Sequence, residues 1–177
     1  LVNCFDINSL NMFKNKNNNN GVNKMNQVET VEIKKDEDLI KNERVKALKN
    51  HLELNDEETN EITLEDGESF HYGDQEYLVL TDEEADEKTE EYIKESVWAF
   101  NSSFLSSHSD IDEEVFKLLS EKCEDSNDAV LSMIKDFDHF VSDAISSDGR
   151  GHFLSSYDHS ESDEEINGTT YYIYRTN

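Results

Sequence analysis

The chain has 177 residues, 34% of them apolar, and a formal net charge of −26, a size and composition that suit one domain of modest core plus a tail. It contains no run of about eighteen apolar residues, the length a membrane-spanning helix requires, and so acidic a surface repels nucleic acid and anionic membrane while attracting basic proteins. The charge is unevenly placed: residues 1–50 hold nine Lys/Arg and seven Asp/Glu, whereas residues 51–177 hold seven and thirty-five, a net −28 in the part expected to fold.

Residues 1–27 carry ten asparagines, among them Asn17 to Asn20. Polar low-complexity sequence of this kind cannot offset the entropy of ordering, so a disordered tail is expected there. The chain starts at Leu1, and Met25 opens a more ordinary stretch, so residues 1–24 are expected to be an over-extended upstream reading. Residues 28–60 turn to mixed charge and read as a marginal helix and linker. Leu39, Ile40, Val45, Leu48 and Leu52 stand near helical spacing, and residues 38–48 form the amphipathic part. The ordered domain is expected over 61–177, beginning near Glu61.

Ile62-Thr63-Leu64 and Ser69-Phe70-His71-Tyr72 alternate on either side of an Asp66-Gly67 turn signal, and Gly73-Asp74 precedes Glu76 to Leu80. This pattern predicts a small antiparallel meander. It runs into a helix over Thr81–Phe100, where Thr81 and Glu84 have the spacing of a capping box and Asp82, Glu83 and Glu84 meet the positive end of the helix dipole. Ala85, Lys88/Thr89, Tyr92/Ile93, Ser96/Val97 and Phe100 recur at helical spacing and trace its inner stripe. From Asp82 to Glu95 there are eight carboxylates against Lys88 and Lys94, about one negative charge per 2.4 Å of axis, which approaches the roughly 1.7 Å per charge of duplex DNA.

Residues 101–108 read as a short helix or a loop. A cap at Ser109 or Asp110 starts a second helix bearing Ile111, Val115, Phe116, Leu118/Leu119 and Lys122/Cys123, with Cys123 on its apolar edge. A cap at Asp125 or Ser126 starts a third, continuous to Ile145, whose Ala129/Val130, Met133/Ile134, Phe137, Phe140/Val141 and Ala144/Ile145 make the strongest stripe. Asp148 to Gly151 ends it. Asn167-Gly168 signals a tight hairpin turn, and Thr169 to Arg175 is a strand by its β-branched and aromatic content, expected to return to the meander. The fold class is therefore α+β, a small antiparallel sheet with about three helices packed on one face.

Chemistry-bearing patterns are sparse. The histidines are dispersed, without His-x-x-x-His or Cys-x-x-Cys spacing, so no metal ligands and no cofactor are expected. Asp110 to Glu114 mimics the start of a calcium loop, but the place of its central glycine is held by Val115. There are two cysteines, Cys4 in the expected tail and Cys123 far from it, so a disulfide framework is not expected and a reducing, cytoplasmic location is. The unusual polar cluster is Gly149-Arg150-Gly151-His152. Its structural reading is a helix stop with an internal salt bridge. Its functional reading is a small hydrolase or transferase using His152 with Arg150 and a nearby carboxylate.

Trp98 to Asn101, Gly149 to Asp158 and Tyr171 to Arg175 resemble segments of small uncharacterised phage-type proteins. The resemblance covers roughly the C-terminal half, brings no activity or site residues, and implies at most a viral or mobile-element origin. From the charge, the expected function is a non-enzymatic binding protein that docks on a basic, nucleic-acid-binding protein, in its sharpest form a mimic of DNA. Glu83, Glu87, Glu90 and Glu91 are the expected contacts. Alternatives are the His152/Arg150 enzyme and an accessory protein whose acidity serves solubility alone.

Overall fold

The turns and the aromatic strand of the sequence organise the sheet. In the computed structural model the described residues are 39–65, 67–123 and 126–177, so the tail, its suspected upstream extension and the first part of the linker lie outside them. Strands β1 (Thr63–Leu64), β2 (Ser69–Tyr72) and β3 (Gln75–Leu80) form the expected meander. Strand β4 (Ser162–Ile166) turns through Asn167 and Gly168 into β5 (Thr169–Arg175). Both turn residues have positive φ, 54° and 87°, the requirement of the tight hairpin that Asn-Gly meets with least strain. Strand β5 pairs with β3, setting Tyr77 opposite Arg175 and Leu80 opposite Tyr172. The order is β1-β2-β3-β5-β4, all neighbours antiparallel.

Alternation along the strands makes two buried faces. Tyr77, Val79, Tyr171 and Ile173 point to one, where they pack with Ala47 and Leu48 of helix α1 (residues 39–51). Leu80 and Tyr174 point to the other and meet Ala85 of α3 (Asp82–Ser96) and Leu154 of α8 (Arg150–Leu154). The α+β class is thus found, and α1 adds a helix on the second face. The compact unit accordingly runs over Ile40–Asn177, starting ahead of Glu61.

Polar ties seat α1 as well as apolar burial. Glu43 accepts from Asn167 Nδ2 at 2.8 Å and from the Tyr171 hydroxyl at 3.0 Å, and these two hydrogen bonds hold its carboxyl below the usual carboxylate range. Burial, then the Glu43 contact, pushes the Tyr171 phenol up to about 12. Arg44, almost fully buried, donates to the Val79 carbonyl at 2.9 Å and to Glu84 at 2.6 Å. Between α1 and β1 a short helix, α2 (Asp56–Thr59), carries a complete capping box at Asn55 and Glu58.

The remaining helices form a lobe that continues from α3. Both halves of the Thr81/Glu84 capping box are made, but α3 ends at Ser96, and Val97–Ala99 is a single 3₁₀ turn. Helix α4 (Ser102–Ser107) resolves the ambiguous stretch. Helix α5 (Glu113–Lys122) is capped by Asp112 rather than by Ser109 or Asp110, and Cys123 is exposed, not on an apolar edge.

The expected third helix is two, α6 (Asn127–Met133) and α7 (Phe137–Asp148). The break is stabilised from outside the helix. Ile134 bridges Ser109, Lys135 N donates to the His108 carbonyl at 3.1 Å, and Asp136 accepts from His139 N to cap α7. Val130 and Phe140 nevertheless enter one core with Ile93, Val97, Leu105, Phe116 and Phe153.

Gly149, at φ 76°, ends α7 and leads at once into α8, so the polar cluster is helical rather than irregular. Gly151 permits close packing there. A Cβ on it would stand 2.7, 2.8 and 2.9 Å from backbone atoms of Ser160, His159 and Glu161.

Candidate functional site

Helix α3 presents its acids in three directions, because each residue rotates about 100° from the last. Asp82 and Asp86 face Arg150, whose Nη1 reaches their carboxylates at 2.9 and 3.0 Å. The same guanidinium makes a two-point contact with Glu161, Nε at 3.0 Å and Nη2 at 3.2 Å, and stacks 4.2 Å over the Tyr172 ring. Glu161 is further held by the Tyr174 hydroxyl at 2.6 Å. Only 10% of the Arg150 side chain is exposed.

Glu84 points another way, to Arg44. Burial works to raise its pKa, yet the Thr81 amide and the Arg44 guanidinium outweigh that effect and hold the carboxyl low.

The third direction is open. Glu83, Glu87, Glu90, Glu91 and Glu95 are exposed, and among the described residues none of their carboxylates makes a hydrogen bond or an ion pair. Beside them runs a groove of about 590 Å³, lined by Glu87, Glu90, Glu91, Lys94 and Glu95 of α3 and by Asn127, Asp128 and Leu131 of α6. Asn127 fixes its width by donating to the Lys94 carbonyl at 2.9 Å and accepting from Trp98 N at 3.2 Å. The structure therefore gathers three of the four expected contact residues at one groove and leaves Glu83 on the same helix ahead of it. Glu95 and Asp128 join them. Glu95 was legible as i+4 from Glu91, whereas Asp128 is brought in only by the tertiary fold.

The structure separates the two residues of the enzyme alternative, His152 and Arg150. His152 is exposed and lines a cleft of about 250 Å³ with Asp148, Ser96, Asn101 and aromatic neighbours. Arg150 is not part of that cleft, because its guanidinium is committed to Asp82, Asp86 and Glu161. The internal salt bridge is the reading that the geometry favours for the glycine-flanked cluster.

Among the described residues two groups of side chains have the donor types of a metal site. Glu65, His71 and Glu76 lie together at the β2–β3 edge, with Glu65 Oε2 2.8 Å from His71 Nε2. That hydrogen bond, ahead of the opposing burial, raises the imidazole pKa above its usual value. His108, His139 and Asp143 form the second group, with ligand atoms all within 4.8 Å of one another. No single motif announces it, since His108 lies outside the local His139-x-x-x-Asp143 spacing.

Among the described residues no helix is long and apolar enough to cross a membrane. In comparison with known proteins, the chain matches no protein-family model, no curated protein and no solved structure.

Proposed function

We propose that this chain is a non-enzymatic acidic binding protein that docks on a basic surface of a partner protein through the ridge and groove of α3 and α6. The observation that carries the reading is the division of carboxylates on one helix. Those facing inward have cationic partners, and among the described residues those facing the groove have none. An array of unpaired carboxylates on a rigid helix offers fixed counter-charges to lysines and arginines, which favours fast, salt-dependent association.

Its sharpest form is mimicry of a DNA backbone. Glu83, Glu87 and Glu90/Glu91 follow one another at axial steps of about 5–6 Å, so a protein surface that binds phosphates finds carboxylates in a regular row. The partner is then a nucleic-acid-binding protein, and the acidic chain itself binds no nucleic acid.

The test is competition. A panel of purified basic DNA-binding domains is titrated with the full chain, with labelled duplex DNA as competitor, at low and raised salt. Displacement of DNA is expected, weakening steeply with salt and by at least about tenfold in the variant E83Q/E87Q/E90Q/E91Q. Equal binding by the chain and that variant, or no binding at low salt, overturns the reading.

A further inference from the structure

His139 and Asp143 stand one turn apart on α7, at i and i+4, and so share one face of that helix. His108 reaches them from the end of α4. Its backbone carbonyl accepts from Lys135 N, and the neighbouring Ser109 bridges Ile134, so strand-like pairing fixes it against the start of α7. The rings of Phe104 and Phe140 pack on the imidazole at centroid distances of 4.6 and 5.1 Å, leaving 7% of the side chain exposed. The inner ligand is thus held by packing before any ion arrives.

The spacing within the group is informative. Nε2 of His108 and Nε2 of His139 each lie 3.6 Å from Asp143 Oδ2, too far for the hydrogen bond of roughly 2.7–3.2 Å that two such groups would make if they closed on each other. The Glu65–His71 pair, at 2.8 Å, shows this chain making the closed contact elsewhere. Ligand atoms about 2.0–2.2 Å from a tetrahedral zinc ion lie roughly 3.3 Å apart. The two 3.6 Å distances need only small adjustments to meet this, the His108–His139 pair lies within 4.8 Å, and His139, with 64% of its side chain exposed, is free to supply the closing movement.

We propose that His108, His139 and Asp143 bind a single divalent transition-metal ion of the zinc class. Two imidazoles and one carboxylate suit zinc and its neighbours, whereas magnesium and calcium prefer all-oxygen shells. His139 and the 45% exposed Asp143 open the site to solvent, so water completes the coordination. The ion would pin the end of α4 to α7, and the site is independent of the docking groove.

The test uses the full chain stripped with chelator and kept in millimolar magnesium, so that scattered carboxylates do not count as sites. Cobalt(II) titration followed by visible absorption, with zinc displacement, is expected to show one saturable equivalent. His139→Ala and Asp143→Asn change exposed or half-exposed side chains and preserve the fold by circular dichroism. Each is expected to weaken zinc binding by at least about tenfold, while Glu65→Gln leaves it unchanged. Absence of a saturable equivalent, zinc affinity in His139→Ala within about twofold of the parent, or an equal loss in Glu65→Gln overturns the proposal.

Discussion

Two flanks of helix α3 carry the same kind of residue and do opposite things. On one, Asp82 and Asp86 are drawn to Arg150, whose guanidinium is almost buried under the sheet's Tyr172 and shared with Glu161. On the other, Glu87, Glu90 and Glu91 edge a groove that Lys94 also lines, and among the described residues none of these three carboxylates is ion-paired. Both sides are rich in carboxylates. What differs is whether a residue far along the chain returns to meet the charge, and that difference separates acids that hold the fold from acids left over for a partner.

The comparison is broken most severely at Arg150. Arg150→Ala removes the shared cation and the plane stacked on Tyr172, leaving a half-buried Glu161 unmatched. A loss of about 2–4 kcal/mol in urea unfolding is expected; a loss under about 1 kcal/mol would show that the paired flank is not structural. A subtler break leaves every charge in place. Gly151→Ala puts a methyl group into the backbone at His159–Glu161, which must shift and draw Glu161 away from Arg150. About 1–3 kcal/mol is expected by the same measurement, in line with overpacking of a close contact.

The smallest effect is expected on the open flank. E83Q/E87Q/E90Q/E91Q breaks no hydrogen bond or ion pair among the described residues, and the like-charge repulsion it relieves offsets the helix-dipole interaction lost at Glu83, so its stability should lie within about 0.5 kcal/mol of the parent or slightly above it. Its advantage should shrink as salt is added, since screening relieves the same repulsion in the parent. A pronounced destabilisation would mean that these glutamates have structural partners after all.

Much of the fold was legible because its signals are local. Asn167-Gly168 requires positive φ at both places, Thr81 and Glu84 cap each other across a single turn, and the aromatic strand has nowhere to bury its alternate residues except in a sheet. The division at 134–136 was hidden for a converse reason. The apolar stripe keeps helical spacing through it, and the contacts that stabilise the break come from His108 and Ser109, on another element. Helix α1 was underrated on similar grounds, since its value lies in Arg44 and Glu43 meeting Val79, Glu84, Asn167 and Tyr171. The acidic helix was visible as a candidate site, but sorting its carboxylates into bound and free needed the path of residues 150–161. The His108–His139–Asp143 group was invisible for the same reason.

The outer edge of strand β4 bears on how copies of the molecule meet. An open strand edge is a template on which another chain can add by main-chain hydrogen bonding. Here the edge carries Asp163, Glu164 and Glu165 in succession, so a second β4 laid against it would bring carboxylates opposite carboxylates, a pairing that like charges disfavour. At the far edge, β1 is only two residues long and offers little to extend. Among the described residues both margins of the sheet therefore disfavour the addition of a further strand.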